Sequence, residues 1–270
     1  MKKLLLSCAL VMTVLFSQAQ QRETRNVDTF TKISFGVPGK ALVSQGNTQK
    51  VELEGSAEVL EKIEVVVEGS TLKIRNKEKW SSWSWGREDR ITVYITAREI
   101  RALNVSGSGN LETQTKITSG DMEIKVSGSG NIKADIEANN VEVGVSGSGN
   151  SRVRGKANNL ESSISGSGNI DLEMAVADRL ETRISGSGNL SATGSASRFK
   201  ATISGSGGVR AGDLVTDSCD ISIAGSGSAS VNVKSELNAS ISGSGSVTYK
   251  GNPDRVNSNS SGSGKVRKIS

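Results

Sequence analysis

Ser106-Gly107-Ser108-Gly109-Asn110 decides the reading of this chain, because the same five letters return at 127–131, 146–150, 165–169 and 185–189. Looser copies follow at 204–208, 224–228, 242–246 and 261–265, so nine copies start 21, 19, 19, 20, 19, 20, 18 and 19 residues apart. A Gly/Ser tract alone reads as a flexible linker. A tract with a fixed period of this size reads as a solenoid.

The surroundings of each copy support the second reading. Val105, Val126, Val145, Ile164, Ile184, Ile203, Ile223 and Ile241 stand directly before the tracts, and only Ser260 breaks the series. Four residues further back come Met122, Val141, Leu160, Leu180, Phe199, Cys219, Leu237 and Val256. Between them lie Ile124, Val143, Ser162, Thr182, Ala201, Ile221 and Ala239. Apolar or small residues spaced by two describe a strand with one buried face. After the tract the alternation resumes, as in Ile132 and Ala134 or Leu190 and Ala192. Each repeat is therefore expected to run strand, Gly-rich bend, strand, then a second bend near Gly155, Gly194, Gly212 or Gly251. One coil cannot bury its own inner face, whereas stacked coils pile identical aliphatics into columns. The expected fold is all-β: a right-handed parallel β-helix (β-solenoid) of about nine coils of ~19 residues behind a β-rich N-terminal cap.

Residues 1–19 read as a signal peptide, with Lys2 and Lys3, an apolar run to Phe16 and the small-residue site Ser17-Gln18-Ala19. Cys8 offers a lipidation alternative to cleavage after Ala19. No later apolar run reaches the roughly 20 residues that span a bilayer, so the chain is expected to be exported, to the periplasm, the outer-membrane surface or beyond. Residues 20–103 read as the cap or first wider coils, 104–265 as the repeat solenoid and 266–270 as a basic tail. Strands are expected at 30–34, 41–45, 51–54, 63–68, 72–75 and 91–96, with a short helix opened by Ser56. Beyond the leader Cys219 is the one cysteine, so no intrachain disulfide forms, and its place in an aliphatic column marks it as a small buried hydrophobe. The net charge of +5 includes Lys2 and Lys3. Nothing in that balance argues for nucleic acid.

The pattern around Ile33, 41–46 and 51–53, the Trp-rich segment, 93–103 and the Ser-Gly-Ser-Gly coils together resemble the putative auto-transporter adhesin head GIN domain family of Bacteroidetes-type bacteria. The likeness covers roughly 27–265. It implies a right-handed parallel β-helix and an adhesin-like role, and brings no catalytic residues with it.

Lys79-Trp80-Ser81-Ser82-Trp83-Ser84-Trp85-Gly86-Arg87 holds all three tryptophans of the protein. Such a cluster suits sugar stacking or a protein interface. Its bland alternative is a lid over the open end of the solenoid. Glu123, Glu142, Glu161 and Glu181 fall at one outward position and would make a carboxylate ladder, a strip for a cation or basic partner or a solvated face relieved by Lys125, Arg183 and Lys200. Asn110, Asn131, Asn150, Asn169 and Asn189 form a further ladder, read as structural. The bend is not a phosphate loop, because no Gly-Lys-Ser/Thr and no helix follow it. A calcium roll would need Asp within it.

With no histidine in the chain, Ser-His and Cys-His catalysis are excluded. No metal or cofactor pattern stands out. The expected function is a non-catalytic envelope or surface binding protein, adhesin-like, which presents a solenoid face and Trp80, Trp83 and Trp85 to a glycan or an envelope protein. The alternatives are a carbohydrate-active β-helix enzyme using surface carboxylates and a purely structural envelope component.

Overall fold

A computed structural model of the chain describes residues 21–77 and 91–269. In chain order these hold β1 (Gln21–Thr24), β2 (Lys32–Phe35), β3 (Gly39–Gln45), β4 (Lys50–Gly55), α1 (Ala57–Lys62), β5 (Ile63–Glu68), β6 (Thr71–Asn76), β7 (Ile91–Ala97), β8 (Ala102–Gly107) and β9 (Asn110–Thr113). The regular coils follow as β10 (Ile117–Gly128), β11 (Asn131–Gly147), β12 (Asn150–Gly166), β13 (Asn169–Gly186), β14 (Asn189–Gly205), β15 (Gly208–Gly225) and β16 (Ser228–Gly243). The last turn is β17 (Ser246–Lys250), β18 (Arg255–Gly262) and β19 (Lys265–Lys268). The strands join into one sheet that winds as a β-solenoid of about nine turns.

From β10 to β16 every coil pairs in parallel with the next, tract against tract: Ser146 lies beside Ser165, Ser165 beside Ser185 and Ser185 beside Ser204. Where two strands per coil were expected, one ladder runs almost the whole way between tracts. The second corner keeps its parallel hydrogen bonds too, so the chain turns without leaving the sheet. Variation in repeat length is absorbed there as bulges, between Val176 and Arg179 and between Ala211 and Val215, and the tracts stay in register. Gly155, Gly194 and Gly251 take positive φ at or near that corner; Gly212 does not.

The aliphatic columns are the core. The residues before the tracts, from Val105 through Ile241, are all buried, as are Met122 through Leu237 four positions back. Burying one such side chain contributes roughly 1.5–3 kcal/mol, repeated at each level of the stack. The bend is held from below as well. In the coil of Gly166, the Ser167 and Gly168 amides both donate to the Gly147 carbonyl at 2.9 Å, and Asn169 donates to Gly149 at 3.1 Å. A Cβ on Gly168 would stand 2.4 Å from the Gly149 oxygen and 2.5 Å from Val145 Cγ1, so this position has no room for any side chain.

The N-terminal part stacks out of chain order. β2 pairs in parallel with β6 on one side and β8 on the other, and β3 lies likewise between β7 and β9. The β2–β3 coil is thus wedged between segments that come after it. Because Phe35 faces Val105 and Lys40 faces Asn110, Gly36-Val37-Pro38-Gly39 occupies the place of Ser106–Gly109. Above this coil the sheet turns antiparallel, with β5 on β6, β4 on β7 and β1 on β4. Ser56 caps α1 by accepting from the Val59 amide, and Val59 and Leu60 are buried. At the other end the columns stop: Val256 is 41% exposed and β18 is exposed throughout.

Candidate functional site

Since the inward positions are spent on packing, chemistry is left to the outward ones, and parallel register lines these up in ladders about 4.8 Å per step. Glu123, Glu142, Glu161 and Glu181 are successive register partners. Their repulsion is relieved within the chain. Lys125 Nζ reaches Glu123 at 3.1 Å and Glu142 at 3.0 Å. Arg183 reaches Glu181 at 2.6 Å and Glu161 at 3.8 Å, while Lys200 lies 3.7 Å from Glu181. Burial works against the Lys125 charge, but its hydrogen bonds to Glu142 and Glu123 outweigh that and raise its pKa. Glu181 differs from the other three, being 5% exposed with cations on either side. Among the described residues no group of acidic or cysteine side chains has the arrangement of a metal site.

Among the described residues several grooves lie between outward columns, two of them long. One, of about 590 Å³, lies along the glutamate column, with Asp121, Asn140, Asn159 and Arg179 on one wall and Glu123, Glu142 and Glu161 on the other. The second, of about 520 Å³, lies behind the bends. Its first wall is the asparagine ladder. Asn131 donates to Asn110 at 2.7 Å, Asn150 to Asn131 at 2.8 Å, Asn169 to Asn150 at 2.9 Å and Asn189 to Asn169 at 3.3 Å. The facing column, two residues on, carries Glu112, Lys133, Arg152, Asp171, Ser191 and Arg210, with Lys40 at the end of the groove. Glu112 sits between Lys133 at 3.0 Å and Lys40 at 3.2 Å, and those two ammonium groups hold its carboxyl below the usual carboxylate range. Sequence reasoning saw the asparagines as a ladder and missed the groove. The charged letters beside them do not repeat, so no periodic signal marks them.

Trp80, Trp83 and Trp85 lie outside the described residues. Their segment, 77–90, connects β6 to β7. These two strands stack on β2 and β3, and Ile74 and Ile91 lie opposite Phe35 and Gly39. The described ends on either side of it, in β6 and β7, stand at the corner that each lower coil closes with a four-residue bend. Cys219 is buried in its column, and desolvation pushes its thiol up to about 12, against a hydrogen bond shared with Thr216 that lowers it. It is no nucleophile in the folded chain. The buried hydroxyls of Ser162 and Thr182, neighbours in one column, bond each other at 2.8 Å.

An all-β chain with a packed interior, outward polar ladders and open grooves defines a β-solenoid repeat protein. The chain belongs to the family described as "Putative auto-transporter adhesin, head GIN domain", whose model matches residues 29–189 and 160–253. No curated protein matches it. Among solved structures it is similar to a putative adhesin from Parabacteroides distasonis ATCC 8503, with 21% identity, TM-score 0.72 and coverage of 94% of this chain and 98% of that one. A putative adhesin from Parabacteroides merdae ATCC 43184 has 19% identity and TM-score 0.70, with the same coverage. A "Putative lipid binding protein" from Parabacteroides distasonis ATCC 8503 has 24% identity and TM-score 0.68, again covering 94% and 98%. At these identities the likeness carries the fold. The family and the two adhesin neighbours bear adhesin names, not enzyme names. No helix among the described residues is long and apolar enough to cross a membrane.

Proposed function

We propose that this chain is a non-catalytic, exported binding protein of the cell envelope or surface, adhesin-like, with Trp80, Trp83 and Trp85 as its principal contact for a glycan or an envelope protein. One observation carries the reading. The outermost parallel coil, β6–β7, replaces the tight bend of every lower coil with the segment 77–90, which holds every tryptophan of the chain. The segment is far longer than the bend whose place it takes, and three tryptophans gathered in one stretch supply the large amphipathic rings that recognition of a sugar or a protein uses. The family's adhesin name points the same way. Amide- and charge-lined grooves favour a polar polymer over an acyl chain.

The test is a glycan panel and an envelope-extract pull-down with the wild-type chain beside a Trp80→Ala/Trp83→Ala/Trp85→Ala variant of matched melting temperature. Reducing-end release is followed in the same wells. Retention that depends on the tryptophans, without release, is the expected result. Sugar release would replace this reading with the carbohydrate-active enzyme. Absence of retention, with a variant that melts early, would make the segment a lid and the protein a scaffold.

A further inference from the structure

We infer that the groove between the asparagine ladder and the Lys133–Arg152–Arg210 column is a second binding site, a track for a linear polysaccharide bearing carboxylate or sulfate groups. This rests on the reading of the chain as a binding protein and is independent of its tryptophans.

Shape comes first. The groove runs from the coil of Lys40 to that of Arg210, across β3, β9, β11, β12, β13, β14 and β15. At about 4.8 Å per coil that is roughly 30 Å. A trough of this length, open along one side, suits a chain polymer and not a small molecule. Next is unspent hydrogen bonding. Each bond along the ladder uses one amide N–H and one oxygen lone pair. A primary amide has two N–H donors and a carbonyl oxygen with two lone pairs. Asn131, Asn150 and Asn169 therefore each keep a donor and an acceptor for a ligand, repeated once per coil.

Charge then selects the ligand. The lining holds the cations Lys40, Lys133, Arg152 and Arg210 against the carboxylates Glu112 and Asp171. Glu112 is taken by Lys40 and Lys133, and Asp171 by Arg152 at 3.1 Å. Arg210 has no ion pair among the described residues, and Arg152 keeps about half its side chain exposed. Between Asp171 and Arg210 stands Ser191, whose short side chain leaves the trough open. Among the described residues no aromatic ring lines it. A neutral sugar or a nucleobase would find no stacking surface there, so ionic and charge-assisted hydrogen bonds must carry the affinity. Guanidinium groups are matched in geometry to carboxylate and to sulfate-like oxyanions.

The experiment is affinity electrophoresis of the full chain, purified after export, through gels containing polygalacturonate, heparin or neutral pullulan. Retardation by polygalacturonate or heparin, abolished at about 0.5 M NaCl, with none by pullulan, is expected. Lys133→Gln/Arg152→Gln/Arg210→Gln should weaken binding by about tenfold or more. Ser191→Trp, which fills the trough without changing charge, should weaken it comparably. An equal loss of charge elsewhere, Lys156→Gln/Lys234→Gln/Arg255→Gln, should leave it within about twofold, since screened charges on other faces contribute little. The tryptophan variant should bind as wild type does. Preference between the two anionic gels names the group recognised.

Equal retardation by pullulan, or by single-stranded DNA, overturns the inference. So does a Ser191→Trp variant that folds and binds like wild type, or a control variant that loses as much as the groove variant. Polysaccharide binding lost only in the tryptophan variant would also overturn it, while leaving the proposed function standing.

Discussion

Alanine at Gly107 and at Gly166 puts one methyl at the same letter of the repeat into different surroundings. Both glycines have positive φ, +87° and +116°. Holding an alanine in such a region costs about 1–3 kcal/mol at either site. Only Gly166 meets a second obstacle. Its Cβ would lie 2.7 Å from the Gly147 carbonyl oxygen, whereas nothing lies within 4 Å of a Cβ on Gly107. The Gly147 carbonyl cannot swing aside freely, because it accepts from Ser167 and Gly168. Overpacking of this kind adds about 1–3 kcal/mol. In a chain of this size each kcal/mol is worth about 2–4 °C, so Gly166→Ala should melt about 2–12 °C below Gly107→Ala. Far-UV circular dichroism at matched concentration measures the difference. Hydrogen exchange locates it, with faster exchange in the coils around 147–186 for Gly166→Ala alone, since each coil contacts only its neighbours. Equal melting temperatures would refute the reasoning. Backbone conformation alone would then set the glycine requirement, and close stacking of the bends would contribute nothing.

Ser151 stands between Ile132 and Ile170 in a core column, with its hydroxyl buried and without a hydrogen-bond partner among the described residues. Ser151→Ala should therefore raise stability by about 1–3 kcal/mol, read as a higher urea midpoint at unchanged slope; a lower midpoint contradicts it. Glu112 concerns pH. Its folded pKa is depressed by Lys133 and Lys40, so its contribution is present above the unfolded carboxylate value of about 4.3 and is lost as pH falls through the lower folded value. The Glu112→Gln variant should lose less stability than wild type between neutral pH and that acid window. Parallel stability-pH curves would sink the assignment.

Much of the solenoid was legible because its interior is periodic. A column such as Leu180, Phe199, Cys219 and Leu237 can be read from spacing alone, and all four are buried. In the N-terminal part, alternation placed β5 at 63–68 as found and the other expected strands within two residues at each end. Ser56 marked the start of α1. The wedged coil was not legible. Gly36-Val37-Pro38-Gly39 shares one letter with the tract, and Val37 stands where Gly107 takes positive φ. The corner turns instead at Gly39, with φ +141°. Its stacking partners are also remote in sequence, β6 and β8 for β2, so no repeat in the chain announces them. The asparagine ladder could be read, but its groove could not. A groove depends on how outward side chains from successive coils pair with each other, and ion pairs such as Lys133–Glu112 and Arg152–Asp171 join residues a whole coil apart.

The two outward strips differ in what they have left to offer. The glutamate column presents four carboxylates, yet Lys125 bridges Glu123 and Glu142, and Arg183 spans Glu161 and Glu181. An incoming cation would have to displace side chains already in place, and the strain relieved by doing so is small at an exposed surface. The column beside the asparagines pairs Glu112 with Lys133 and Asp171 with Arg152, but leaves Arg210 without an ion pair among the described residues. Its amides bond to each other through one donor each and keep the second. A stack whose interior is fixed by glycine bends and aliphatic columns can change its outward letters at little cost to stability. Differences between outward columns then reflect what each face meets, and on that ground the asparagine groove has more capacity for a ligand than the glutamate strip.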